Sequence, residues 1–326
     1  MRNMVLNGTR VCCAVIIAAF TADALAQASY PTRAIRVIVP SSPGGGTDIV
    51  TRQLTPGLSQ VLGRQVVVDN RPGAGTMIGI DLAAKSPPDG YTLLMGLATL
   101  GTLPATYKKL PYDTLKDLAP ITQAVATPFI LAVHPSLPVK SVKELIAFAR
   151  KRPGEINYAS AGQGTTLHFT MELFLTMTGL KMVHVPYKGS GPAITNLVAG
   201  HVTVATLTLL SGLPHVRSGR LRGLGITGAQ RSRALPQLPT VAEAGVPGYE
   251  SVLWYGLLAP GGTPRPIIER LHGAMRDVLY SPEVKRRFDA DGAKILANTP
   301  EEFKRALEAD LVKWEKVARA AGIRKR

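Results

Sequence analysis

Two cysteines are all that the 326 residues contain, and both, Cys12 and Cys13, fall in the first apolar run. Beyond that run there is no thiol, which excludes disulfides, thiolate nucleophiles and cysteine metal sites there. The six histidines are dispersed without metal-ligand spacing. No Walker lysine follows a glycine loop, and no nucleophile elbow is present. The run Gly73-Ala74-Gly75-Thr76-Met77-Ile78-Gly79 sets its third glycine one place too late for a dinucleotide fingerprint. An enzyme is therefore not expected, and neither is a cofactor or a metal. After the first 20 residues no apolar run approaches the roughly 20 residues that span a bilayer. The chain beyond that point is expected to be soluble, not membrane-spanning.

Acidic residues are also scarce: 22 against 38 lysines and arginines, a formal charge of +16. The bases are scattered, with short groups at Arg150-Lys151-Arg152 and Lys285-Arg286-Arg287, and are not interleaved with aromatics. No nucleic-acid partner is expected from that pattern. A solvated basic surface would instead steer anionic solutes toward the protein.

The leader has its own signature. Arg2 and Arg10 precede the apolar run Val11 to Phe20, and Ala24-Leu25-Ala26 supplies small residues at a cleavage point. This pattern predicts a secretory signal over residues 1–26, cleaved after Ala26, and an exported protein. Gln27 stands where a lipoprotein would need cysteine.

Past the leader, short strands alternate with helices. Ile35 to Val39 reads as a buried strand, broken at Pro40 and turned by Gly44-Gly45-Gly46 into a helix from Thr47 to about Leu62. Strands at Gln65–Asp69 and Tyr91–Met95 flank a helix through Ile78 and Leu82. A second set begins at Ile130–Val133, with a capping box at Ser141 and Glu144, and continues through strands near 156–160, 182–185, 202–209 and 221–226. The alternation predicts parallel sheets with helical crossovers. One more apolar strand, Val252 to Pro260, precedes three helices with no strands among them. Thr263-Pro264, Ser281-Pro282 and Thr299-Pro300 are expected to cap them. Crossing points are expected at Val125–Phe129 and near Trp254. That gives two lobes, 27–127 with 250–326 and 128–249.

Four strand-to-helix turns carry glycines: Pro43 to Thr47, Gly73 to Thr76, Gly162 to Thr166, and Gly189 to Gly191. Such turns lie at the carboxyl ends of parallel strands, where ligands bind. Facing one another, they would line a crevice with backbone N–H groups, helix N-termini and hydroxyls, suited to a carboxylate without a cationic side chain. Arg71 could clamp an acid, although an arginine before Pro-Gly more often pins a turn to a neighbouring acid. Asp48 is expected to brace its turn, or to meet an ammonium group. His168, near a helix start, could reach a ligand or pack locally.

The segments Pro43-Gly44-Gly45-Gly46-Thr47-Asp48, Asn70-Arg71-Pro72-Gly73-Ala74-Gly75, Tyr158-Ala159-Ser160-Ala161-Gly162-Gln163-Gly164-Thr165, Val185-Pro186-Tyr187-Lys188-Gly189 and Pro239-Thr240-Val241-Ala242-Glu243-Ala244-Gly245 follow one another along the chain. In these motifs the sequence resembles the Bug family of periplasmic solute receptors of tripartite tricarboxylate transporters. The resemblance implies an α/β, two-lobed periplasmic-binding-protein fold of type II with the ligand cleft between the lobes. It implies a monomeric receptor that captures a small carboxylate and delivers it to permease subunits in the membrane. By position, Ser42, Pro43, Gly44, Gly45, Gly46, Thr47 and Asp48 would line the cleft, with Gly75 and Thr76, Ala98 and Thr99. From the other lobe would come Gly164, Thr165, Thr166 and His168, then Gly189 and Ser190. Thr206-Leu207-Thr208 ends a strand that could also face the ligand, with Thr206 and Leu207 as candidate contacts. Ser41 stands where the family often has an aromatic residue, and Asn196 and Thr203 replace acids common there. A ligand-sensing partner of a membrane sensor, or an exported enzyme on the same fold, are the alternative functions.

Overall fold

The β-branched run Ile35–Val39 forms strand β1, buried along almost its whole length as a central parallel strand is. It ends at Pro40, and the three glycines carry the chain into α1 (Gly46–Leu62). The computed structural model describes residues 30–326 apart from Asp291, Arg324 and Arg326. The expected leader, its cleavage point at Ala26 and both cysteines lie outside the described residues. After α1 come β2 (Val66–Asn70), α2 (Met77–Ala84), β3 (Thr92–Leu97) and α3 (Thr99–Thr106). β1 pairs in parallel with β2 on one side and β3 on the other.

The long strand β4 (Leu118–Val133) then leads to a second set. This comprises α4 (Val142–Arg150), β5 (Asn157–Ser160), α5 (Thr166–Thr178), β6 (Val183–Pro186), α6 (Ser190–Val198) and β7 (Val204–Thr208). β5 is parallel to both β6 and β7. α7 (Leu209–Arg217), β8 (Arg222–Ile226) and β9 (Val252–Pro260) follow, and then α8 (Arg265–Leu279), α9 (Pro282–Ala290), β10 (Lys294–Ile295) and α10 (Pro300–Ala320).

β4 and β9 join the sets. They run antiparallel from Leu118 opposite Pro260 to Pro128 opposite Val252. β9 also pairs with β3, while the last five residues of β4 pair with β7. The strand order is therefore β2-β1-β3-β9-β4-β7-β5-β6, with β8 and β10 attached to β4. One buried apolar cluster draws almost entirely on residues 35–129 and 253–307, and two others on residues 130–249.

Several expectations need correction. The sheet is mixed, because β4 and β9 run antiparallel to their neighbours. The C-terminal helices are interrupted by β10, which pairs with Val125 and Ala126 of β4. The sequence also hid two helices, α3 after β3 behind its Gly101 and Pro104 and α7 behind its Gly212 and Pro214. Thr263 does not cap α8, since its hydroxyl donates to Pro260 O at 2.7 Å. The Ser281 hydroxyl likewise donates to Val278 O, back toward the preceding helix. At α4, Ser141 accepts from Glu144 N, but the Glu144 carboxylate takes Lys140 N, one residue ahead of a true box.

Thr299 does form the full capping box with Glu302. The helix it starts buries Phe303 against β9, where the absence of a side chain at Gly256 leaves room for the ring. We expect Phe303→Ala to lower stability by about 3–5 kcal/mol and Thr299→Ala by about 1 kcal/mol, both read from urea denaturation.

Candidate ligand-binding site

A cavity of about 880 Å³ opens at the carboxyl ends of both parallel sets. Its wall is made by the loops after β1, β2, β5 and β6, by the ends of β3 and β7, and by Phe129, Leu253 and Tyr255 of the two crossing strands. The loop after β1 reaches the wall because Pro40 ends the strand and the glycines turn the chain back over it. α1 starts there with Gly45 as N-cap and no side-chain cap; α6 starts at Gly189 in the same way. α2 begins at Thr76, whose side chain also makes no cap. The first N–H groups of a helix have no acceptor within it, so the starts of α1 and α6 present free donors and positive dipole ends, whereas Met77 N at the head of α2 donates to Ala74 O.

Side chains brace this wall from behind. Asp48 accepts from Gly44 N at 2.9 Å, Arg52 Nε at 2.9 Å and Asn70 Nδ2 at 3.0 Å. Burial pushes its carboxyl up, but the bonds from Arg52, Gly44 and Asn70 outweigh this and hold it below the usual carboxylate range. Asn70 also donates to Ser41 O at 3.0 Å, so the end of β2 fixes both sides of the glycine turn. Arg71 pairs with Asp69 at 3.0 Å and stays off the wall.

A second brace supports the loop after β5. The Ser160 hydroxyl meets His184 Nε2 at 2.6 Å and Gly162 N at 3.1 Å. His184 stacks on His168, with ring centroids 4.0 Å apart. His168 Nδ1 accepts from Gly164 N at 3.3 Å, and its Nε2 lies 3.6 Å from Glu172. Glu172 also accepts the Tyr158 hydroxyl. Burial lowers the His184 pKa to about 4 and raises that of Glu172. Both shifts favour the uncharged forms.

The two sets touch around the cavity. Thr102 Oγ1 donates to Gly164 O at 2.6 Å, and the hydroxyls of Thr99 and Thr166 lie 3.4 Å apart. Elsewhere on the wall Gly75 approaches Gln163; a Cβ on Gly75 would lie 3.5 Å from the Gln163 carbonyl oxygen.

Of the positions expected from sequence, Ser42 to Thr47, Gly75, Thr76, Thr99, Thr165, Thr166, Gly189 and Ser190 stand on the wall. Asp48, Ala98, Gly164, His168, Thr206 and Leu207 stand behind it. Asp48 and His168 are held in the braces just described, and Gly164 is tied to α3. Ala98 is buried, its N–H donating to Trp254 O. Thr206 bonds Leu167 O at 3.2 Å, and Leu207 belongs to an apolar core. Asn196 and Thr203 are also absent from the wall, whereas Ser41 is part of it.

Sequence reasoning missed Phe129, Leu253 and Tyr255, which come from crossing strands, whereas the strand end it pointed to does reach the wall, at Thr208. It missed the exposed Lys188 as well, although Lys188-Gly189 was part of a recognised motif. Two wall residues have an unusual feature: Ser41 Oγ and Thr76 Oγ1 are buried and have no hydrogen-bond partner among the described residues. Buried polar atoms are ordinarily satisfied, which sets these two apart from the rest of the wall.

The His184 pKa gives a direct test of the brace. A histidine held neutral in the fold, with a pKa below its unfolded value near 6.5, contributes stability that is full above that value. The contribution is lost as pH falls toward 4. The melting temperature should drop across this window, and His184→Phe, which retains a ring but accepts no proton, should drop less. Identical pH profiles for the two proteins would contradict a neutral, buried His184.

Residues 50–323 match the family model described as tripartite tricarboxylate transporter family receptor. Protein BugT of Bordetella pertussis is 38% identical over 324 residues, covering 98% of this chain and 99% of that protein. Among solved structures, R. palustris Rpa4515 with adipate is 38% identical with a TM-score of 0.87, covering 91% of this chain and 100% of its own. MatC from Rhodopseudomonas palustris with bound malate is 30% identical with a TM-score of 0.84, covering 89% and 100%. The fold is thus the two-lobed one of periplasmic solute-binding proteins. On sequence and structure together, the chain belongs to the tripartite tricarboxylate transporter receptor family.

Proposed function

We propose that this protein is an exported receptor that holds a small organic carboxylate in the cavity and delivers it to the permease subunits of a tripartite transporter. The observation that carries the reading is that α1 and α6 both begin on the cavity wall with no side-chain cap. Such a surface offers hydrogen-bond donors to an anion without a counter-ion. The likeness to structures holding adipate and malate supports the same ligand class.

In this reading residues 27–127 with 250–326 form one lobe and 128–249 the other, in keeping with the division of the buried clusters. The lobes close on the ligand, and the closed state is what a permease recognises. The leader is removed after Ala26 and the receptor works in the periplasm as a monomer. No described helix is long and apolar enough to cross a membrane. The wall residues expected from sequence, Ser42 to Thr47, Gly75, Thr76, Thr99, Thr165, Thr166, Gly189 and Ser190, contact the ligand. Leu97, Phe129, Leu167 and Leu253 also reach the wall, which suits an acid with an apolar carbon body better than a heavily hydroxylated one.

A thermal-shift panel of mono- and dicarboxylates tests this reading. An acid present at about 100 times its dissociation constant should stabilise the fold by roughly 2.7 kcal/mol. Ser41→Ala should then weaken binding about tenfold, or about 1.4 kcal/mol, while the ligand-free melting temperature holds or rises. A panel without any shift would sink the proposal.

A further inference from the structure

Tyr255 sits in the middle of the joined sheet, opposite Leu97 of β3 and Val125 of β4. Successive side chains on a strand point to opposite faces. Its neighbour Trp254 donates its indole N–H to Asp310 of α10 at 2.6 Å, and Tyr255 therefore faces the other way, onto the cavity. The residue is only 1% exposed. Its hydroxyl lies against the first residue of α1, so close to Gly46 that a Cβ there would collide with it. The same Cβ would be 3.9 Å from Thr208 Oγ1, at the end of β7.

No hydrogen bond among the described residues engages the Tyr255 hydroxyl. Other buried tyrosines are satisfied: Tyr249 donates to Thr170 O at 2.9 Å, and Tyr158 to Glu172. Tyr112 shares the lack of a partner but is not on the cavity wall. Burial alone raises the Tyr255 phenol, so it remains a donor across the whole working range of pH. An unpaired, protonated O–H thus lies beside the start of α1, whose first N–H groups have no acceptor within the helix. Both are donors, and the atom that satisfies both is an acceptor, best an anionic oxygen.

We propose that Tyr255 is a ligand-binding residue, its phenol O–H donating a hydrogen bond to a carboxylate oxygen held against the start of α1. The assignment rests on the carboxylate reading of the cavity. It gives the ligand a contact on the strand that joins the two sets, within reach of Thr208 from the second set.

The test is calorimetric titration of the full-length protein and its Tyr255→Phe variant with adipate, or with the panel acid giving the largest thermal shift if adipate is silent. Tyr255→Phe removes one oxygen that has no protein partner, so its ligand-free melting temperature should match or exceed that of the parent. Its affinity should fall between about 10- and 100-fold. The parent's affinity should stay level from pH 7 to about 9.5. A parent that binds no acid overturns the carboxylate reading and this assignment together. A parent that binds, with Tyr255→Phe binding as tightly, overturns the assignment of Tyr255 alone.

Discussion

The antiparallel pairing of β4 with β9 is the constraint on which the rest of the molecule depends. Every other strand attaches, directly or through one neighbour after another, to these two. Nine residue pairs link them, and the register shifts twice, between Pro120 and Thr122 and between Gln123 and Val125. Bulges of this kind increase local twist, and they lie beside the positions where Tyr255 and Trp254 emerge on opposite faces. The chain passes between the two sets only near these strands, so the cavity and its floor share the same backbone.

In the proposed role the wall would meet an anion almost entirely with neutral groups. The protein carries a surplus of bases, yet among the wall residues only Lys188 is charged, and it is exposed. A buried arginine would require a permanent counter-charge whenever the ligand was absent. Backbone N–H groups and hydroxyls incur a smaller cost when empty, which makes an unoccupied site tolerable. The nearest acid, Asp48, is kept from repelling a ligand because its oxygens are taken up by Arg52, Asn70 and the Gly44 N–H.

Much of this was legible before any coordinates. β1 stops at Pro40, β6 ends at Pro186 and β7 at Thr208, and each of these residues stands on the wall of the cavity. What was hidden has physical reasons. α3 carries Gly101 and Pro104, which mask a helix held in place by Trp314 and Asp310 of α10. The first half of β4 contains Pro120, tolerated where the ladder is irregular. Thr206, Leu207 and Thr208 were expected together at the ligand; the first bonds Leu167 O and the second packs into a core, so only Thr208, the last residue of β7, reaches the wall. Tyr255 read as ordinary core within an apolar run, since only the pairing of β9 shows which face it occupies.

The close approach of Gly75 to Gln163 has a kinetic consequence. Where these two loops meet, a Cβ on Gly75 would already touch the Gln163 carbonyl, so in the proposed role a ligand would pass on that side only when the loops part. Dissociation by that route is then timed by the separation of backbone from backbone, and not by the breaking of ligand contacts alone. Two acids of very different affinity could leave at similar rates if both wait on the same opening. The residence time of the cargo would then be a property of the receptor as much as of the cargo.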